Sequence, residues 1–174
     1  MKPVYFLIIV AILATGGVIY SFNNSKPERK SVEQKKSTST ESKVAEENSL
    51  QADENGIIHL TQETFKKEVF DYTASKEWKY LGNKPAIIDF YADWCRPCKM
   101  LAPTLEELQK EYGGKIQIYK VNTDKNPELS NAFGIQGIPA LLFIPATGEP
   151  QMSTGLLPKE TLESNITTIL QVKK

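Results

Sequence analysis

Cys95 and Cys98 are the only cysteines in the chain, and Arg96 and Pro97 separate them. Two thiols at that spacing support three chemistries: reversible dithiol–disulfide exchange, half of a zinc site, or a fixed structural bridge. A structural zinc ion takes four ligands, and beyond this pair the chain offers no cysteine and a single histidine, His59, so the metal reading is poor. A bridge over so short a loop removes little entropy from the unfolded chain, because that gain grows with loop length. Exchange fits best. The apolar run "AIIDFYA" (86–92) ends just before Cys95, which places this sulfur at the opening of a helix. Unpaired N–H groups and the positive end of the helix dipole stabilise a thiolate there. Cys98 falls one turn on along the same face, and Pro97 occupies the first turn, where its missing N–H costs nothing.

Two further ionisable residues stand in unusual company. Asp89 lies inside the apolar run, with three apolar residues before it and Phe90, Tyr91 and Ala92 after it. Burial disfavours its charged form and keeps it partly protonated near neutrality. Lys120 alternates with Ile116 and Ile118 in "KIQIYKV" (115–121), so its stem points inward toward that acid. The competing reading is a solvated lysine with a buried stem.

Positioning these groups takes a scaffold of alternating strands and helices. Residues 57–60 read as a short strand, followed by a helix from Thr61 to about Tyr72. An irregular stretch, "TASKEWKYLGNKP", closes in a turn and leads to the strand 86–92, whose nearly unbroken apolar run is expected of a strand covered on both faces. Leu101, Leu105, Leu108 and Tyr112 mark a helix from about Cys95 that stops at Gly113-Gly114. The strand 115–121 follows, and then a short helix to about Phe133 with Asn126 as N-cap and Pro127 in its first turn. Strands "ALLFI" (140–144) and "QMSTG" flank a turn, and Pro158 opens a last helix that turns Leu162, Ile166, Ile169 and Leu170 inward. This order predicts an α/β fold with a central mixed sheet and helices on both faces, three layers in all. Trp78 reads as local packing in a segment longer than such a domain needs.

Composition divides the chain of 174 residues into three regions. Residues 1–22 form a membrane anchor or a signal peptide: Val4 to Phe22 is almost continuously apolar, and roughly 20 such residues span the hydrocarbon core. The signal-peptide reading takes Lys2 as the basic start and Ala14-Thr15-Gly16 as the cleavage site. Residues 23–55 are rich in Ser, Lys, Glu, Thr and Gln, the composition of a disordered polar linker, and 56–174 is the folded domain. Lys26, Arg29, Lys30, Lys35 and Lys36 follow the apolar run, and the positive-inside rule taken alone keeps the domain in the cytoplasm. The formal net charge is zero, which gives no basic surface for nucleic acid.

"DFYADWCRPCK" (89–99) resembles the active-site segment of the thioredoxin family, usually Trp-Cys-Gly-Pro-Cys-Lys. "KVNTDKNPELSNAFGIQGIPALLFI" (120–144) is similar to the stretch carrying that family's lysine, Gly-Ile-Pro turn and following strand, and "TGEP…STG" to its last hairpin. The likeness covers about 57–172 and identifies the chain as similar to an exported, membrane-tethered bacterial thioredoxin. It implies that Cys95 is an exposed nucleophile and Cys98 the resolving thiol. Asp89 is then the proton acceptor and donor for Cys98, and Lys120 tunes Asp89. It also implies a cis Ile138-Pro139 bond whose backbone pairs with an extended substrate. Trp94, Arg96, Pro97, Ile138 and Pro139 would line the substrate surface. No cofactor or metal is needed.

The activity so implied is reduction of disulfides in substrate proteins, outside the cytoplasm, by a monomer fed by a membrane or soluble thiol donor. A cytosolic reductase gains little from a tether, which favours export over the charge rule. The alternatives are a disulfide-introducing oxidant, a thioredoxin of cytochrome c maturation, and a binding module without turnover. Three departures bear on the choice: Arg96 where most relatives carry glycine, Tyr91 where many carry tryptophan, and Ala140 after the proline.

Overall fold

The computed structural model describes Leu50 and residues 52–174. The expected anchor or signal peptide (1–22) and all but the end of the expected linker (23–55) lie outside the described residues. Among the described residues, no helix is long and apolar enough to cross a membrane. Ala52 bridges Ile58 in antiparallel fashion. There the Asp53 carboxylate accepts hydrogen bonds from the Asn55 and Ile57 N–H groups, so a turn forms ahead of the boundary that composition suggests.

Nine elements follow in chain order: β1 (Ile58–Leu60), α1 (Gln62–Glu68), β2 (Ala86–Tyr91), α2 (Arg96–Glu111), β3 (Gln117–Asn122), α3 (Pro127–Ala132), β4 (Ala140–Ile144), β5 (Gln151–Thr154) and α4 (Lys159–Thr168). The sheet runs β1-β3-β2-β4-β5. β1, β3 and β2 are parallel, while β4 pairs antiparallel with both β2 and β5. β2 therefore lies at the centre, which is why its sequence is apolar on both sides.

Strand alternation sorts the core into two layers. Ile87, Ile118, Leu141 and Phe143 face Leu101, Leu105 and Leu108 of α2 and Leu162 and Ile166 of α4. Ile88, Phe90, Val121 and Leu142 face Phe65 of α1 and Leu129 of α3. Burying each such side chain stabilises the fold by roughly 1.5–3 kcal/mol. The expected three-layer α/β architecture with a mixed sheet is observed.

Several boundaries differ from expectation. α1 ends at Glu68 rather than near Tyr72, because Phe70 N–H turns back to the Phe65 carbonyl and Val69 and Phe70 enter the core. Trp78 then packs on Phe70 at 4.7 Å between ring centroids and stacks on Tyr80, a local packing role. β3 starts at Gln117, since the Lys115 N–H closes a turn onto the Tyr112 carbonyl. The turn after α2 uses positive φ at Gly113 and Gly114, +53° and +78°, a region open to residues without a Cβ. Asn126 precedes α3 but does not cap it through its side chain. Its amide oxygen instead accepts from Gln62 N–H, tying the loop before α3 to the start of α1.

Candidate active site

β2 sets the floor of the site. Asp89 sits on the face shared with Ile87 and is fully buried. Neither of its oxygens accepts a hydrogen bond. Strand register places it opposite Lys120, whose Nζ lies 3.7 Å from Oδ2, an ion-pair contact too long for a hydrogen bond. Burial pushes the Asp89 carboxyl up to about 6, with Lys120 pulling the other way. An acid so placed gives and takes a proton near neutral pH.

The chain leaves β2 through a turn in which Cys95 N–H donates to the Ala92 carbonyl at 3.1 Å. Cys95 then serves as the N-cap of α2. Its backbone is extended, and its Sγ accepts the Cys98 N–H at 3.2 Å. The expected helix opening is thus realised with sulfur in the place of the usual capping oxygen. The N–H groups and dipole of a 16-residue helix aim at that atom. Cys95 and Cys98 are joined in a disulfide with 5.3 Å between their Cα atoms. Among the described residues, no group of three His, Cys, Asp or Glu side chains is arranged to hold a metal ion.

One expectation is corrected. Cys95 is 3% exposed and Cys98 likewise, so the bonded Cys95 is not the open sulfur that its position suggested. Ala92, Tyr91 and Ile138 pack around the pair. Arg96 and Pro97, by contrast, are exposed on the first turn.

Trp94 is 70% exposed and is fixed by an indole N–H that donates to Asp124 Oδ2 at 2.9 Å. Across the disulfide, the Ile138-Pro139 bond is cis. Pro139 is buried, and its carbonyl accepts the Gly155 N–H at 2.8 Å. Among the described residues, no group pairs with the Ile138 N–H or C=O. Ile138 therefore offers a free main-chain donor and acceptor beside the sulfurs, the condition for an added strand.

A cleft of about 360 Å³ reaches Cys98 and is lined also by Tyr91, Ala102 and Lys120. Lys120, which faces Asp89, and the second sulfur thus open onto one cavity. The structure packs Ile138 against the Cys95–Cys98 pair and sets Lys120 against Asp89. It also adds Asp124, which holds Trp94, a tie hidden in the solvated turn "NTDK".

Residues 56–168 match the family model described as Thioredoxin. The chain is 51% identical over 109 residues to the thioredoxin of Borreliella burgdorferi, covering 63% of this chain and 93% of that protein. It is 38% identical over 112 residues to thioredoxin 1 of a Nostoc species, with 64% and 95% covered. Among solved structures, chloroplastic thioredoxin z superposes with a TM-score of 0.55 at 28% identity, covering 66% of this chain and 94% of that one.

Proposed function

The chain belongs to the thioredoxin family and is a thiol–disulfide oxidoreductase, and from that premise we propose that it acts mainly as a reductase of protein disulfides outside the cytoplasm. In this reading Cys95 attacks a substrate disulfide as a thiolate, forming a mixed disulfide and releasing one substrate thiolate. Cys98, having passed its proton to Asp89, then attacks Cys95 Sγ and expels the second substrate thiolate, leaving the Cys95–Cys98 disulfide. Trp94, Arg96, Pro97, Ile138 and Pro139 receive the substrate chain. Lys120 governs the acidity of Asp89. A membrane or soluble dithiol donor returns two electrons to close the cycle, and the domain works as a monomer.

The observation that carries this reading is the convergence of a sulfur at a helix N-terminus with a fully buried, upshifted Asp89 and an unpaired Ile138 backbone. The compartment rests on sequence alone: the apolar run of residues 4–22 and the polar stretch after it supply an export signal and a reach.

Arg96 favours a second direction. A permanent positive charge beside Cys95 stabilises the thiolate and makes the couple more oxidising. Equilibration of the full-length chain with glutathione separates the two. A potential near the roughly −270 mV of a thioredoxin supports reduction, and one near the roughly −120 mV of a dedicated oxidant supports disulfide introduction. Insulin reduction with dithiothreitol is the companion assay, and no rate above background discards the reductase reading.

A further inference from the structure

We propose that the Tyr91 ring is a positioning element, a platform that holds the Lys120 ammonium at Asp89. The inference rests on the reading of Asp89 and Lys120 as the proton-transfer pair.

Lys120 has register partners on both sides: Asp89 in β2 and His59 in β1. Tyr91 follows Asp89 by two residues and shares its face of the sheet. The Lys120 Nζ lies 3.7 Å from Asp89 Oδ2 and, at the same time, 4.6 Å from the centroid of the Tyr91 ring. The lysine side chain is only 14% exposed, although a lysine with its flexible stem normally keeps its ammonium in water. Asp89 alone does not explain this, since it makes no hydrogen bond. The electron-rich ring face is the second partner. The ring is braced in turn by His59, edge-on at 6.3 Å and 84°.

The charged groups around this row come from every adjoining element. His59 lies on β1, with Asp53 at 3.9 Å beyond it. Asp93 and Lys99 line the cleft from the loop after β2 and from α2. Lys125 approaches His59 from the loop after β3. Burial and the Lys120 charge hold His59 below its usual range, so it is uncharged at neutral pH and does not compete for Asp89. A ring without its hydroxyl serves equally well, since the ammonium meets the face. Loss of the ring frees the lysine to swing into solvent and leaves Asp89 a weaker acid.

The test is a carboxyl carbon-13 titration of Asp89 in the full-length oxidised chain, the resonance being assigned by its absence in D89N. Y91L raises the Asp89 midpoint by roughly half a unit, Y91F leaves it in place, and K120M raises it at least as far. Adding Y91L to K120M changes nothing more. The pH profile of single-turnover insulin reduction moves upward with the midpoint. Y91M serves as a second ring-free variant with the same expectation should Y91L not fold. A midpoint unmoved or lowered by loss of the ring overturns the inference while leaving the Asp89–Lys120 pair intact, provided K120M still shifts it. So does a Y91L shift of equal size in the K120M background, which assigns the effect to dehydration. A midpoint that K120M does not move removes the role of Lys120 itself.

Discussion

The two ends of α2 hold ionisable groups in opposite ways. Near its N-terminus, Lys120 faces the fully buried Asp89 at 3.7 Å without a hydrogen bond, and the acid is pushed up to about 6. At its C-terminal end, Glu111 contacts Lys159 at 2.5 Å and Lys174 at 2.6 Å on the surface, and these lysines pull its carboxyl down to about 2. Glu107 and Glu163 join the same network. The tight pairs sit in water, where attraction is screened and ordering two long side chains costs entropy. The loose pair sits where dehydration dominates. Tight geometry therefore marks the end that fastens the chain terminus, and poor geometry marks the end that does chemistry.

The comparison is broken most severely at the sulfurs. C95S is expected to drop insulin reduction to background while the fold persists by circular dichroism, because a short disulfide loop contributes little to stability. Retained activity would detach the chemistry from this end of α2.

The next largest effect concerns Asp89. Its folded value of about 6 exceeds the ordinary 3.8, so the native state binds more protons than the unfolded chain between those values. Stability is therefore lost as pH rises through that window, by up to about 3 kcal/mol. D89N, which has no charge to bury, should match the parent at pH 4 and exceed it by about that amount at pH 8 in denaturant titrations. Turnover falls at the same time. Equal stability at both pH values would remove the strain from the pair.

A smaller effect is expected at the rim. D124A leaves the Trp94 indole without its acceptor and should raise the KM for insulin about threefold with kcat unchanged. D124N, which keeps an acceptor, should restore it. A loss in kcat instead would make the tie part of the chemistry.

The smallest effect belongs to the far end. Glu111 sits below the ordinary carboxylate value, so whatever it adds is present above about pH 4.5 and lost as pH falls through about 2. E111Q should be indistinguishable from the parent in melting experiments at neutral pH and high salt. A clear destabilisation would make the two ends more alike than their burial suggests.

Much of the site was legible because its parts are local in sequence. The Cys95–Cys98 spacing after an apolar strand and an aspartate inside that strand announce themselves within a few residues, whereas the Ile138-Pro139 turn was legible only through the resemblance to thioredoxins. Alternation with Ile116 and Ile118 fixed the face of Lys120, and the resemblance supplied its role toward Asp89. The strands were legible from unbroken apolar runs at 86–92 and 140–144 and from alternation at 115–121. What escaped depends on register between distant segments. The tie from Trp94 to Asp124 spans 30 residues, and the contact of His59 with Tyr91 requires β1 to lie beside β3. The end of α1 escaped for another reason: Val69 and Phe70 extend a helical apolar pattern, yet they reach the core through a turn. The concealment of Cys95 reflects its bonded state and the contact of Ile138, neither of which a motif encodes.

The central claim is that Cys95 attacks and Cys98 resolves. Trapping tests it directly. The reduced full-length C98S chain, mixed with oxidised insulin, should accumulate a dithiothreitol-sensitive mixed disulfide through Cys95, while C95S accumulates none. Adducts formed through Cys98 in C95S as readily as through Cys95 in C98S would contradict the assignment of roles.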